Sequence, residues 1–417
     1  MIKKKKNFFF KDYKLWNLIK KEKIRQNSCI NLIASENYTS LEIMKAQGSC
    51  LTNKYAEGYP NNRYYAGCKY IDKIENLAIK RAKKLFKADY ANVQPHSGSQ
   101  ANFSVYQALL SPGDKILGMK LSHGGHLTHG SSVNFSGKIY NPIFYELDKN
   151  GKIDYNFINF LAKKHKPKII IGGFSSYSGL CNWKYFRKIA DKINAYLIVD
   201  MSHISGLVAA GLHSNPLKYA HVVTSTTHKT LAGPRGGMIL SNEKNKVLYS
   251  KLDKSVFPGT QGGPLVHIIA AKAIAFKNAN NIKFVNYQIQ VLKNSKTMCK
   301  YFIKNGFTIV SNETKNHLFL IDLSKKNING KEAEKLLEKS NIIVNKNSVP
   351  NDLQNPSITS GIRIGTAAIT KRGFKKLEVK KICSWIVYLL NNDKKNVNYL
   401  KIKRKVFNLC NHFPIKK

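Results

Sequence analysis

The chain has 417 residues, 43% hydrophobic and 22% charged, with 69 Lys and Arg against 24 Asp and Glu for a formal charge of +45. That balance predicts a soluble globular protein of two or three domains with a large core. It excludes a membrane-spanning chain and a secretory leader, since no apolar run is long enough for a bilayer and the stretch after Lys3–Lys6 is only Phe8–Phe10.

The basic surplus is scattered through every segment alongside abundant Asn, Ile, Tyr and Phe, as AT-biased codon drift would leave it. It therefore predicts no specific nucleic-acid partner. Seven widely spaced cysteines with no CxxC pair argue against a zinc site or disulfide framework and for a reducing cytoplasm.

In chain order, residues 1 to about 30 read as a basic arm. Its amphipathic, helical piece around Leu15, Trp16, Leu18 and Ile19 is suited to packing on the rest of the molecule or on a second subunit. Thr52 to Cys68 is dense in tyrosine and glycine, poor material for helix or strand. It is either an aromatic surface loop or a site wall offering phenols and the carboxylate of Glu57. Ile71, Ile74, Ala78, Ala82 and Leu85 fall at helical spacing, and Ala88–Val93 follows as a strand. Ser97-Gly98-Ser99 then opens a helix running to Leu110. Strand, Ser-Gly-Ser and helix make either an ordinary cap or a phosphate cradle, where N–H groups and hydroxyls meet the positive end of the helix.

Lys115–Met119, Lys168–Ile171, Tyr196–Val199, Val222–Thr224 and Met238–Leu240 are short apolar runs alternating with helical patterns, including one marked by Trp183, Phe186, Ala190 and Ile193. This predicts an α/β domain with a mostly parallel sheet covered on both faces. Ligands in such sheets bind beyond the carboxyl ends of strands, and Ser97, Ser175, Asp200 and Lys229 each lie just after a strand-like run. His123, His126 and His129 recur at intervals of three, but glycines break the segment and no Cys or carboxylate lies within it. A loop histidine against an aromatic ligand is expected there, not a metal.

Phe257–Pro264 is a turn into a long helix. Beyond it the pattern changes to a helix over 281–305, strand-like runs at Phe307–Val310, His317–Leu323, Ile342–Val344 and Gly361–Ile364, and helices from Lys331 and near Gly373. The expected layout is an arm over 1–50, a large domain over 51–280 and a smaller α+β domain over 281–417. Within the last, Arg363 sits in a strand, where its fork suits a carboxylate.

The centre of the chain is Val222–Gly237. Two β-branched residues end a buried strand, a Ser/Thr/His cluster follows with Lys229 inside it, and a Gly/Pro turn leads to a second apolar run. Desolvation and nearby positive charge lower the pKa of such a lysine and free its amine for a Schiff base. Asp200 closes the preceding apolar strand. A Schiff-base lysine with an acidic partner for a pyridinium nitrogen is what a pyridoxal phosphate site requires.

With these residues assembled, the chain resembles the bacterial-type serine hydroxymethyltransferases from about Ser28 to about residue 390. The resemblance rests on Asn-Lys-Tyr-Ala-Glu-Gly-Tyr-Pro (53–60), Arg-Tyr-Tyr-Ala-Gly-Cys (63–68), Gln-Pro-His-Ser-Gly-Ser-Gln-Ala-Asn (94–102), His-Gly-Gly-His-Leu-Thr-His-Gly (123–130), Val-Asp-Met-Ser-His (199–203) and Thr-Thr-His-Lys-Thr-Leu-Ala-Gly-Pro-Arg-Gly-Gly (226–237). It implies the aspartate-aminotransferase-like fold type I of pyridoxal phosphate enzymes and a homodimer with shared active sites. It also implies reversible transfer of a hydroxymethyl group between serine and tetrahydrofolate, giving glycine and 5,10-methylenetetrahydrofolate. A folate-independent aldolase for β-hydroxy amino acids on the same fold is the alternative.

By that resemblance Lys229, Glu57, His228, Tyr65 and Asp200 are the catalytic set, with pyridoxal 5'-phosphate covalent on Lys229. Cofactor contacts are expected from Tyr55, Ser97, Gly98, Ser99, His126, Ser175, His203, Thr226, Gly262 and Gly263, with Tyr55 and Gly263 reaching in from the neighbouring subunit. Ser35, Tyr65, His203 and Arg363 are expected to bind the amino acid. Glu57, Leu121, Gly125, His126, Leu127, Asn347 and Ser357 are expected to face the folate. The sequence departs from the family pattern at Ala367, usually proline, at Ser202–Ser205, and after Asn355-Pro356-Ser357, where an aromatic residue is missing.

Overall fold

A computed structural model describes residues 12–392 and 398–415. The first eleven residues of the expected arm and part of the lysine- and asparagine-rich tail lie outside the described residues. The centre is a seven-stranded sheet in the order Tyr90–Asn92, Gly237–Ser241, Val222–Thr226, Tyr196–Asp200, Ile169–Gly172, Lys115–Met119, Asn141–Tyr145. Each neighbouring pair is parallel except those made by Gly237–Ser241, which runs antiparallel to both its neighbours. Val222–Thr226 and Ile169–Gly172 are buried along their whole length. Their β-branched runs, with no alternating polar face, follow from helices covering the sheet on both sides.

Two apolar layers sandwich this sheet. One gathers Phe86, Tyr145, Trp183, Phe186 and Phe276. The other gathers Tyr106, Ile116, Ile169, Ile198 and Leu252. The edge strand Asn141–Tyr145 has no sequence forecast behind it. It opens on Asn-Pro and its residues are only partly covered, and a proline is tolerated at a sheet edge because its missing N–H faces no partner.

A second core, around Phe302, Phe319, Ile364, Phe374 and Ile386, belongs to a four-stranded antiparallel sheet of Thr308–Ile309, Leu318–Asp322, Gly361–Gly365 and Asn345–Asn347. The 23-residue helix Ile282–Lys304 packs there against Lys376–Asn391. Two further helices bound the described chain. Tyr13–Ser28 has no buried residue. Tyr399–His412, in what reads from sequence as a polar tail, buries Ile402, Val406 and Cys410.

The segment after the first helix is shared between the two cores. Ile30 and Asn31 pair in parallel with Ile342 and Ile343, whereas the helix Leu41–Gln47 lies on Val266–Ala279. The buried Arg372 locks this crossing by donating to the carbonyls of Cys29, Asn27 and Cys410, each at 2.9 Å.

Candidate active site

The carboxyl ends of the parallel strands gather a buried, charge-dense group. Asp200 ends the strand Tyr196–Asp200. Its Oδ1 accepts the Ser202 N–H at 3.0 Å, and its Oδ2 accepts Asn102 Nδ2 at 3.0 Å and lies 3.4 Å from His129 Nε2. Asn102, on the helix Gly98–Leu109, is fixed by the Thr224 hydroxyl at 2.6 Å and donates to Thr128 Oγ1 at 2.8 Å. That same Thr128 hydroxyl is 2.7 Å from His126 Nδ1. Burial works to raise the Asp200 pKa, but the His129 contact and the fields of His126 and Lys229 outweigh it and hold the carboxyl well below the ordinary range. His126 goes the other way, pushed down to about 4 by burial and by His129. The site thus pairs an ionised carboxylate with a neutral imidazole.

Lys229 is buried at the head of the turn that follows Val222–Thr226. Thr227 ties the turn together, donating its N–H to Gly236 O at 3.0 Å and its hydroxyl to Pro234 O at 2.6 Å. Ala232 sits at φ 57°, a left-handed conformation that costs a side chain roughly 1–2 kcal/mol. Its N–H bonds the Lys229 carbonyl at 3.0 Å. The N-terminal segment holds the same turn from outside, through Asn37 Nδ2 to Lys229 O at 2.9 Å and Thr39 Oγ1 to Ala232 O at 3.0 Å. Burial pulls the Lys229 amine down to about 8; Asp200 opposes the shift, and Arg363 and Arg235 add to it.

Arg363 reaches this group from the second sheet. Its side chain donates to Ser175 O at 2.9 Å and to Asn345 Oδ1 at 3.2 Å, and Nη2 takes no hydrogen-bond partner among the described residues. Burial lowers it only to about 10, so it stays cationic. The Ser175 N–H in turn bonds Gly124 O at 2.7 Å, which joins the arginine to the histidine loop. His203 is buried with Nδ1 3.4 Å from His317 Nε2, itself 3.2 Å from the carbonyl of Ala34, the neighbour of Ser35. Ser35 lines a cleft of about 500 Å³ with Asn37, His228 and Arg235. His228 is kept neutral there, its pKa pushed down to about 3 by burial and then by Arg235 and Lys229.

Ser97 caps the helix Gly98–Leu109, accepting the Gln100 N–H at 3.1 Å. A Cβ at Gly98 would stand 2.6 Å from Thr226 Cγ2 and 3.6 Å from Ser202 Oγ. Thr226 Oγ1 is buried without a hydrogen-bond partner among the described residues. Helix terminus, hydroxyls and an unpartnered threonine make an anion cradle beside Lys229.

A second group stands apart. Tyr55 and Tyr65 pack edge to face with ring centroids 5.1 Å apart. A Cβ at Gly263 would lie 3.1 Å from the Tyr55 ring, and one at Gly262 would lie 3.1 Å from Glu57 Oε1. The backbone here is rigid: Arg63 donates to Ala56 O at 2.9 Å and Gly58 O at 2.8 Å, on either side of Glu57, and pairs with Glu75 at 2.6 Å. The side chains it presents are open, Tyr55 being 54% exposed and Tyr65 46%. No hydrogen bond, ion pair or ring contact joins this group to Lys229, Asp200 or Arg363 among the described residues.

Leu121 and Leu127 flank Gly125 as exposed apolar residues at the end of Lys115–Met119. A Cβ at Gly125 would collide with the Met119 carbonyl. Asn347 donates to Ser348 O at 2.7 Å, and Ser357 is exposed in the following loop. The three loop histidines divide: His123 accepts the Leu147 N–H at 3.1 Å and braces the loop, while His126 and His129 converge on Asp200. Those two and Asp200 bring possible ligand atoms within 4.8 Å of one another, yet both Asp200 oxygens already accept N–H groups. Sequence reasoning left Asn102, Thr224, His129, His317 and Asn345 without a role. The first and third lie inside quoted motifs, which was the available signal.

A family model for serine hydroxymethyltransferase matches residues 9–386. Proteins named serine hydroxymethyltransferase are similar along the full chain. That of Buchnera aphidicola subsp. Acyrthosiphon pisum (strain 5A) is 65% identical over 415 residues, covering 100% of both chains. That of Wigglesworthia glossinidia brevipalpis is 63% identical, covering 99% of this chain and 98% of its own, and that of Blochmanniella floridana is 61% identical, covering 97% and 98%. With this coverage, the chain belongs to the serine hydroxymethyltransferase family.

Proposed function

We propose that Lys229, Asp200, His126, His203 and Arg363 bind pyridoxal phosphate and serine, and that Glu57 and Tyr65 complete the site from a second copy of the chain. The activity is reversible transfer of a hydroxymethyl group between serine and tetrahydrofolate, with pyridoxal phosphate as cofactor. The observation that carries the residue assignment is Lys229 buried in the turn that follows Val222–Thr226, with the Gly98 helix start against Thr226 and Ser202 and with Asp200 bonded to the Ser202 N–H.

The residues present fit the cofactor. The partnerless Thr226 hydroxyl and the end of the helix Gly98–Leu109 suit a phosphate, and the neutral His126 suits an aromatic face. When bound, pyridoxal phosphate supplies a ring that draws off the electron pair left at the substrate's α-carbon. Asp200 holds a proton at the ring nitrogen, and Asn102, Ser202 and His129 keep it ionised for that work. Lys229 offers its amine as nucleophile, and Arg363 takes the substrate carboxylate with the N–H groups its protein partners leave free. Glu57 moves a proton at the substrate hydroxyl. Leu121, Gly125 and Leu127 form an apolar wall for the pterin, with Asn347 and Ser357 at its far side.

The exposed Tyr55 and Tyr65 and the uncovered helix Tyr13–Ser28 support a homodimer. Among the described residues no helix is long and apolar enough to cross a membrane. Nothing observed favours the folate-independent aldolase. The experiment is the visible absorbance of the purified protein before and after glycine and tetrahydrofolate. A cofactor band that responds to glycine, and changes again only when the folate joins it, is expected. A band indifferent to both would overturn the assignment.

A further inference from the structure

The helix Val266–Ala279 carries a lysine whose side chain runs inward. Lys272 is only 1% exposed, and a lysine is seldom buried this way unless its charge is matched. Its Nζ donates to Val93 O at 2.6 Å, Gly237 O at 2.7 Å and Pro95 O at 3.0 Å. Three carbonyls around one nitrogen match the three N–H bonds of an ammonium. A neutral amine would leave one carbonyl facing a lone pair. Burial pulls the Lys272 pKa down from 10.5 to about 7 and Glu75 opposes it, while the three carbonyls favour the charged form.

The three acceptors bracket the cradle described above. Val93 and Pro95 lead into Ser97–Gly98–Ser99, and Gly237 follows the Lys229 turn. Gly237 also donates its own N–H to Pro95 O at 2.9 Å. A Cβ at Gly237 would run into the Ser97 carbonyl and lie 3.2 Å from Gly98 N, and one at Gly236 would lie 3.1 Å from Nζ itself. The ammonium thus sits against the backbone that leads into the cradle and fastens it to the end of the Lys229 turn.

We infer that Lys272 is a positioning residue for the cofactor phosphate: it ties the two halves of the cradle together and sets a buried ammonium against the backbone that leads into Ser97–Ser99. This rests on the reading that Ser97, Gly98, Ser99 and Thr226 take that phosphate. A structural tie alone would support any ligand of the crevice equally. A buried charge, in surroundings less polarisable than water, favours the phosphorylated one.

The test compares pyridoxal phosphate with pyridoxal, which lacks the phosphate, titrated into full-length protein freed of cofactor. The proteins are wild type, Lys272→Met, Lys272→Gln and Lys272→Arg. Glutamine keeps two N–H donors without the charge, so it remains informative where the methionine variant does not fold. Both neutral variants are expected to bind pyridoxal phosphate about 10- to 100-fold more weakly while pyridoxal changes less than about threefold, and arginine is expected to keep the wild-type ratio. Neutral variants that keep the wild-type ratio would overturn the inference. So would a glutamine variant that restores the ratio where methionine loses it, since that assigns Lys272 to tying alone. A wild type that does not distinguish the two ligands would instead sink the phosphate reading on which the inference rests.

Discussion

The Lys229–Asp200–Arg363 group and the Tyr55–Glu57–Tyr65 group are built in opposite ways. In the first, Lys229 is buried and the two other charged side chains are engaged within the same chain, Asp200 by Asn102, Ser202 and His129, and Arg363 by Ser175 and Asn345. In the second, the backbone is held just as firmly by the buried Arg63–Glu75 pair, but Tyr55 and Tyr65 stand open and Glu57 makes no side-chain hydrogen bond among the described residues. A buried polar group must find its partners inside one fold, whereas an open one on a rigid mount is free to meet a ligand or a second subunit. On the function proposed above, one group is a half-site engaged within its own chain and the other a set of side chains offered to a second copy.

The strongest way to break the first half is Lys229→Ala. Multiple-turnover serine cleavage should fall on the order of 10⁴-fold or more, as for other covalent nucleophiles, while the variant still takes up cofactor. Steady-state kinetics with absorbance of the purified variant checks both, and undiminished turnover would remove Lys229 from the chemistry.

The corresponding break in the second half is Glu57→Gln, expected to cost roughly 10²–10⁴-fold in folate-dependent turnover with serine affinity nearly unchanged. The two variants together sharpen the comparison. If the halves meet across a dimer, mixed and refolded Lys229→Ala and Glu57→Gln chains should regain about a quarter of wild-type activity, since half the dimers are hybrids with one intact site each. A mixture no more active than its parents would place both halves in one chain.

Arg363→Ala should lose about 2–5 kcal/mol of serine affinity, the range for stripping one partner from a buried charge pair. Lysine should rescue little, because a point charge cannot offer the planar fork. Near-normal serine binding by Arg363→Lys would count against the carboxylate role.

A smaller effect is expected from pH. The amine of Lys229 is nucleophilic only when neutral, and burial has brought its pKa down from 10.5 to about 8. Cofactor uptake by stripped protein should therefore speed up as pH rises towards 8 and level off above it. An amine left at its ordinary value would keep gaining up to pH 10. Stopped-flow absorbance across pH 6.5–9.5 would distinguish the two.

The least effect on chemistry is expected from the basic surface. Lys293, Lys296, Lys300, Lys304, Lys375, Lys376 and Lys380 line one groove between the helices Ile282–Lys304 and Lys376–Asn391. Polyanion binding there should be weak, indifferent to sequence and steeply salt-dependent, as counterion release requires. Serine turnover measured alongside DNA anisotropy in a salt series should not change. Tight, sequence-selective binding that survives physiological salt would give the charge a purpose beyond codon drift.

Much of the architecture was legible before any coordinates. Val222–Thr224 and Tyr196–Val199 declare themselves because strands buried on both faces are mostly apolar, whereas the Ser-Gly-Ser opening of a helix gains meaning only beside Lys229 and Asp200. The strand Asn141–Tyr145 escaped because an edge strand opening on Asn-Pro carries little periodic signal, and the helix Tyr399–His412 because its lysine- and asparagine-rich composition obscured Ile402, Val406 and Cys410 at helical spacing. Nor does spacing along the chain say that the 30–50 segment is shared between the two cores, since pairing of Ile30 with Ile342 depends on contacts three hundred residues apart.

By itself, then, the sequence determined the fold class, the family and the identity of Lys229, Asp200 and Arg363 as the residues to watch, because local pattern and motif chemistry are written in consecutive residues. Only the tertiary structure decided which groups share a proton or a charge. It placed His129 on Asp200 while sending His123 to brace the loop, set Lys272 on the Val93, Pro95 and Gly237 carbonyls, and left Glu57 outside the buried group. Those outcomes depend on distances of a few ångströms and on exclusion of water, and neither exists until distant segments pack together.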